Sequence, residues 1–467
     1  MLILRIFLYL APLFIFYFIT KMVFAKRLVK QFLIPELISL SVLVGLSIFV
    51  FTEFLLLQFL DFGWPLILIA LLLSVVFMVL INRITFLVYK KDIKEVVANT
   101  VFLNGDTKKI TLRLFIFGTI WYLAAAVQLF NNPPIWWDEI IHWIPKAKVL
   151  IESGSFKDLD LIPFEEYPRF WSILLADFMI LQDKLTQIIP IILYYVYWVF
   201  AITASFRFIK IRNLISYIPL SLVVAGAFIN IGWGAPYSDL PLSVFYSLAL
   251  ILMLLIVDQQ IQWKNVGFIG ILLGMVSQIR TEGVLYSLAA ILVFCLVTFF
   301  INKINALKSF ALLIFILLIY YLPWQIYLHI HSISNDNFNV AVSGFNENWN
   351  NLSYMLQKSV QILAFFWQEI GKIATGYFVL TIFTLISILS FIKIRDFVTI
   401  FSTLIILVNF LIVFIIILFS PTLTGGYGGL SWWLSADFTR FTNHYLPFVF
   451  FSSAILLYKL QSNRQKS

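Results

Sequence analysis

The sequence predicts an all-α polytopic membrane protein with about thirteen transmembrane helices. Hydrophobic residues make up 62% of its 467 residues, compared with roughly 45–50% in soluble domains. Apolar runs of about 20 residues, the length that spans a bilayer, recur from end to end. The basic residues stand in short clusters between these runs, which is typical of orientation signals. The net charge of +9 therefore indicates topology, and no nucleic-acid partner is expected.

The predicted spans, in order, are residues 2–24, 33–60, 64–82, 114–130, 187–206, 214–231, 238–257, 265–279, 284–302, 309–328, 374–392, 397–420 and 442–458. The first run has no small-residue cleavage site before Lys26, so it is expected to be a retained anchor and not a signal peptide. The single cysteine, Cys295, lies in an apolar run and offers neither a disulfide nor a cysteine metal site.

The basic clusters all fall on one side if every run crosses the membrane, and the positive-inside rule makes that side the cytoplasm. Five segments are then expected outside: 131–186, 232–239, 280–283, 329–373 and 421–441. The sequence thus predicts an integral protein of the plasma or inner membrane, with its acidic and aromatic segments on the external or periplasmic face.

The first external segment is rich in carboxylates: Asp138, Glu139, Glu152, Asp158, Asp160, Glu165 and Glu166. An ionised side chain at mid-bilayer costs roughly 3 kcal/mol, so this segment should lie in water beside the membrane. Residues 143–151 have helical spacing and predict an amphipathic interfacial helix. Residues 170–181 predict a second interfacial helix or a re-entrant one, and the connection 329–373 a solvated loop with amphipathic parts.

The adjacent pair Asp138-Glu139 is the first candidate for chemistry, because a carboxylate can take the proton of an attacking hydroxyl. A helix-capping role for the pair is about equally open. Asp239 is either a second external carboxylate facing Asp138 or an N-cap, since Pro241 follows in the first turn. The sequence requires no cofactor, yet Asp138, Glu139, Asp239 and Glu166 could gather a divalent cation, Mg or Mn.

Cations near these acids are the second group of candidates. Arg280 with Glu282, and Arg440 with His444 and Tyr445, form two polar constellations in external segments. The planar fork of arginine suits a lipid phosphate, although an arginine near the membrane surface also snorkels or pairs with a carboxylate. Lys146 and Lys148 are further candidate phosphate ligands. His142, four residues after Asp138, either shares a proton or metal with it or is an ordinary interfacial side chain.

These features together resemble the GT-C membrane glycosyltransferases, most closely the branch with protein O-mannosyltransferases and the aminoarabinose transferase acting on lipid A. The resemblance rests on the external Asp-Glu pair, Tyr-Pro at 167–168, YSDLP at 237–241, R-x-E-G at 280–283 and R-x-x-x-H-Y-x-P at 440–447. It covers about residues 110–460. It implies transfer of a sugar from a polyprenyl-phosphate donor to a glycan, lipid or protein acceptor outside the cytoplasm.

For individual residues, the resemblance implies that Asp138 is the catalytic acid that activates the acceptor, with Glu139 and Asp239 as further catalytic carboxylates. Arg280 and Arg440 would hold the carrier phosphate. The remaining expected substrate contacts are Glu166, Tyr167, Glu282, His142, His444 and Tyr445.

Two departures from the family's pattern stand out. The acidic pair follows the fourth run and not the first, so residues 1–109 look like an N-terminal addition to a catalytic domain at 110–460, with a tail at 461–467. Tyr167 stands where some relatives have a lysine before proline, which leaves the phosphate assignment open.

Other classes remain as alternatives. In a transporter or flippase the carboxylates would carry protons and Arg280 would bind an anionic substrate. Transporters usually show internal repeats, and none is evident here. A glycan polymerase or ligase would rely on arginines in a large external loop, but 329–373 contains none. A non-catalytic scaffold does not explain the external acids.

Overall fold

A computed structural model describes residues 31–89, 105–131, 139–156, 162, 166–181, 186, 188–210, 217–229, 238–333, 351–370, 376–419 and 439–464, together with 15 and 17–18. The structure is 86% helical, without strands among the described residues, which confirms the all-α class. Its helices are α1 Ile34–Leu56, α2 Trp64–Val88, α3 Gly105–Asn131, α4 Ile144–Ser153, α5 Phe170–Leu181, α6 Ile189–Ser205, α7 Tyr217–Ile229, α8 Asp239–Val257, α9 Val266–Ile279, α10 Gly283–Ile301, α11 Lys303–Ile330, α12 Leu352–Ile370, α13 Gly376–Lys393, α14 Phe397–Phe419, α15 Thr439–Asn443 and α16 Leu446–Arg464.

Six of the described helices, α1, α2, α8, α10, α11 and α14, are long and apolar enough to cross a membrane, so the chain is an all-α membrane protein. The predicted number of thirteen spans is not confirmed. A 14-residue helix such as α9 rises about 21 Å, less than the roughly 30 Å of a bilayer core. The predicted run 2–24 lies outside the described residues apart from three positions.

Local sequence explains where several helices begin. Pro35, Pro65 and Pro190 lie in the first turns of α1, α2 and α6, where a missing N–H costs nothing. The Leu33 N–H donates to the Glu36 carboxylate at 2.9 Å before α1. These signals stand at the starts of apolar runs, so α1, α2 and α6 begin within two residues of the starts of the predicted runs 33–60, 64–82 and 187–206.

Helix α8 lies at the centre of the protein. All of its 19 residues are buried, and it packs against α6, α9, α10, α14 and α16. Its first residue is Asp239, which therefore stands where several helix ends meet. This position determines the candidate site described below.

A buried ion pair joins α1 to the end of α6 at the opposite end of the bundle. Arg207 donates through Nε to Glu36 at 2.9 Å and through Nη2 to the Gln31 carbonyl at 2.7 Å. Gln31 in turn accepts from the Asn265 amide at 2.7 Å. The side chains of Arg207 and Glu36 are 5% and 0% exposed, so the pair is removed from solvent.

Replacing Glu36 by glutamine is expected to lower the free energy of unfolding by about 3–5 kcal/mol, because it leaves the Arg207 charge buried without its counter-ion. Thermal unfolding in detergent measures the effect. The matched control is Asp396→Asn, whose partner Lys459 and own side chain are 24% and 39% exposed. Exposed pairs contribute about 0–1 kcal/mol, so equal shifts in the two variants would contradict the prediction.

Candidate functional site

Charged side chains from three parts of the chain meet at the start of α8. Asp239 accepts hydrogen bonds from Arg280 at Oδ1 and from Arg440 Nε at Oδ2, the latter at 2.7 Å. His444 Nε2 lies 2.7 Å from Asp239 Oδ1, and Glu282 Oε1 lies 2.7 Å from Arg280 Nε. We call these five residues, Asp239, Arg280, Glu282, Arg440 and His444, the Asp239 centre.

Helix ends bring the Asp239 centre together. Arg280 has extended backbone angles and ends α9, and the Gly283 N–H donates back to its carbonyl at 3.0 Å as α10 begins. Arg440 lies in the short helix α15, and the His444 N–H donates to the Phe441 carbonyl just after it. Two predicted constellations, R-x-E-G and R-x-x-x-H-Y, therefore converge on the predicted acid Asp239.

The Asp239 centre is largely shielded from solvent. Its most exposed side chain is Arg440 at 21%, whereas Arg280 is 4% exposed and His444 0%. Burial raises the pKa of the Glu282 carboxyl, but Arg280, His444 and a backbone hydrogen bond together outweigh burial and hold that pKa below its ordinary value. Two guanidinium groups thus face two carboxylates, and Arg440 is the member that solvent reaches most easily.

Aromatic side chains cover the Arg280 side of the centre. The Arg280 guanidinium lies 5.6 Å from the ring centroid of Tyr167, whose pKa is raised to about 12 by burial. The rings of His142 and Trp143 lie 5.1 Å and 6.1 Å from that of Tyr167. His142 and Trp143 belong to a single π-helical turn, Glu139–Trp143, that precedes α4. The structure therefore brings the predicted residue Tyr167 to Arg280, and the predicted residue His142 to Tyr167.

A second aromatic layer lies on the His444 side, and sequence reasoning missed most of it. Tyr286 contacts the His444 ring edge-on at 5.4 Å, and Tyr246 donates to Asn409 Oδ1 at 2.8 Å. The predicted residue Tyr445 is fully buried beside them. Tyr246 stands two helical turns after Asp239, so a period of 3.6 residues places both on the same face of α8. The sequence could therefore have indicated that Tyr246 lies on the side of the site.

Other predicted site residues lie apart or outside the described residues. Lys146 is fully buried, 6.0 Å from the Trp143 ring, and Lys148 is exposed. The predicted interfacial position of residues 143–151 is not confirmed, because α4 packs against α5 and buries its central positions. Glu166 is buried. Asp138 and the Glu139 side chain lie outside the described residues.

A pair of carboxyl groups inside the helices is a feature that sequence reasoning also missed. Glu53 of α1 is fully buried, and Asp177 of α5 lies close enough for the two carboxyl groups to interact electrostatically. Two neighbouring carboxyl groups repel each other when both are ionised, and burial increases that cost. The position of these two acidic residues inside apolar runs was the feature of the sequence that could have revealed the pair.

The predicted divalent-cation site stays a prediction. Among the described residues no three His, Cys, Asp or Glu side chains form a cluster suited to a metal ion. Asp138 and the Glu139 side chain, half of the proposed ligand set, are not among them.

Comparison of the chain with protein-family models, with curated proteins and with solved structures gives no match.

Proposed function

We propose that the protein is a membrane glycosyltransferase that moves a sugar from a polyprenyl-phosphate donor to an acceptor on the external face. The observation that carries the proposal is the convergence of Arg280 and Arg440 on Asp239 at the start of α8. Paired guanidinium groups bind phosphate oxygens in a fixed geometry. The Asp239 centre would therefore hold the carrier phosphate, which would approach from the more exposed Arg440.

The proposed roles of Asp239 and Asp138 differ. Both oxygens of Asp239 are already engaged by cationic or ring nitrogen donors, so it would hold the two arginines and not act as a base. The acceptor oxygen would attack the anomeric carbon while the bond from that carbon to the phosphate oxygen breaks. Asp138 would take the acceptor proton, and the polyprenyl phosphate would leave as a stable anion. This single displacement inverts the anomeric carbon, so a product with retained configuration would contradict it.

The proposed topology completes this picture, with about thirteen spans and interfacial helices in the first external segment. Basic residues such as Arg207 and Lys459 lie near the helix ends farthest from Asp239, which supports an external Asp239 centre under the positive-inside rule. The proposed location is the plasma or inner membrane. The proposed partners are the polyprenyl-phosphate sugar and a glycan, lipid or protein acceptor.

Replacing Asp138 by asparagine is expected to reduce sugar transfer by roughly 10²–10⁴-fold, because general-base catalysis contributes about that much. The assay follows radiolabelled sugar from a polyprenyl-phosphate donor into a membrane acceptor fraction, using purified protein in vesicles. Glu152→Gln, in the same segment and exposed, is the matched control and should retain transfer. Undiminished transfer by a folded Asp138 variant would reject this residue as the base.

A transporter or flippase is the second candidate, and the Glu53–Asp177 pair is the observation that favours it. Ionisable residues buried among membrane helices commonly mark proton relays. A flipping assay with a lipid-linked substrate and an imposed pH gradient separates the two functions. Proton-driven flipping that is lost in Glu53→Gln, without sugar transfer by the wild type, would replace the glycosyltransferase proposal.

A further inference from the structure

Helix α12 (Leu352–Ile370) presents three different faces along its length. One face is buried against the protein and includes Lys358 and Ile362, at 3% and 1% exposure. The second is an apolar stripe of side chains that are 52–78% exposed: Leu352, Leu356, Val360, Leu363 and Trp367. The third is polar and exposed: Ser353, Gln357, Gln361 and Gln368. With about 100° per residue, these faces occupy consecutive sectors of one helix.

The apolar stripe adjoins surface that belongs to membrane helices. Helix α12 packs against α13 and α14, and the rings of Phe366 and Phe410 lie 5.6 Å apart. Both neighbours also expose apolar side chains, for example Leu389 at 50% and Leu411 at 51%. Because α14 is long and apolar enough to span, its exposed apolar side is the side that acyl chains cover. The stripe on α12 is thus exposed on a helix that packs directly against α14.

Neither water nor lipid alone suits α12. Full burial of a large apolar side chain is worth about 1.5–3 kcal/mol, so five of them exposed to water would be costly. Three glutamines on the adjacent polar face would in turn lose hydrogen bonds inside the hydrocarbon. The boundary between the two media satisfies both faces.

We propose that α12 lies at the membrane–water boundary, with the stripe Leu352, Leu356, Val360, Leu363 and Trp367 immersed in lipid and Gln357, Gln361 and Gln368 in water. A strongly amphipathic helix with a tryptophan on its apolar side is typical of this position. The placement defines a lipid-binding surface in the connection 329–373 and does not depend on the proposed enzymatic activity.

Spin labels on single cysteines test the proposal in the full-length protein. The chain has one cysteine, so Cys295→Ser provides a cysteine-free background. Nitroxide labels at Val360→Cys and Leu363→Cys report on the stripe, and labels at Gln357→Cys and Gln361→Cys report on the polar edge. In phosphatidylcholine vesicles, the stripe labels should collide more with oxygen, which concentrates in lipid, than with a water-soluble nickel chelate. The order should be reversed at the polar edge.

Two reference positions calibrate the measurement. Leu72 of α2, 69% exposed, supplies the lipid value, and exposed His331 after α11 supplies the water value. Stripe labels that match the His331 label would place α12 in water and overturn the proposal. Stripe labels that neither reagent reaches would indicate cover by another protein surface, such as a second copy of the chain, and would overturn it as well. Thermal unfolding confirms that each labelled variant is folded.

Discussion

Replacing Asp239 by asparagine is expected to lower the free energy of unfolding by about 3–5 kcal/mol and to abolish donor binding. Asp239 receives two guanidinium groups and the His444 ring in a site that is mostly closed to solvent. An asparagine amide keeps the shape but removes the charge, so Arg280 and Arg440 would face each other without a shared counter-ion. Thermal unfolding measures the loss of stability, and the sugar-transfer assay measures the loss of function.

Glu282→Gln is the matched control for Asp239→Asn. Glu282 is similarly buried, at 12% side-chain exposure compared with 10%, but among the described residues its ion pair is with Arg280 alone. Its replacement should therefore lower stability less than the Asp239 change does. If the two variants unfold at the same temperature and transfer sugar equally well, Asp239 is not the common anchor of the two arginines.

Replacing Gly283 by alanine is expected to disrupt the turn that carries Arg280 and Glu282. A Cβ at position 283 would lie 2.0 Å from the Val276 carbonyl oxygen and 2.7 Å from its carbonyl carbon. Both are backbone atoms and cannot rotate away, so the start of α10 would have to move from the end of α9. Overpacking of this kind costs about 1–3 kcal/mol or more.

Sugar transfer and thermal unfolding together test the Gly283 prediction. We expect transfer to fall even where the protein remains folded, because Arg280 is three residues from the collision and loses its position relative to Asp239. Leu285→Ala in the same turn is the control, since Leu285 is 46% exposed. A Gly283 variant that behaves like the Leu285 variant would mean that the turn adapts without cost.

Several helices could be predicted from the sequence to within a few residues, because the apolar composition of such a helix is a local property of the sequence. The run predicted at 238–257 is α8 at 239–257, and that at 265–279 is α9 at 266–279. Short helices such as α9 and α6 show why composition did not settle how many runs cross the membrane. An apolar stretch buried among other helices has the same composition as one that spans.

The Asp239 centre was predictable in its parts but not in its assembly. Asp239, Arg280 and Arg440 were each candidates, yet the ion pairs join positions 41 and 201 residues apart. Local patterns carry no information about such pairings. Lys146 shows that a local pattern can also predict the wrong burial. A charged residue at helical spacing predicts an exposed face, but this lysine is fully buried.

The complete enclosure of α8 by other helices has a consequence for how the protein is made. Its mean hydropathy of 2.6 is that of a segment fit for acyl chains, although none of its residues meets them in the finished fold. Lipid tails are as apolar as leucine, so moving α8 from lipid to protein gains nothing from hydrophobicity. Its apolar character serves membrane insertion, and its central place depends on shape-matched packing. The position of Asp239 beside its arginine partners therefore depends on how α8 packs against its neighbouring helices and not on its affinity for the membrane.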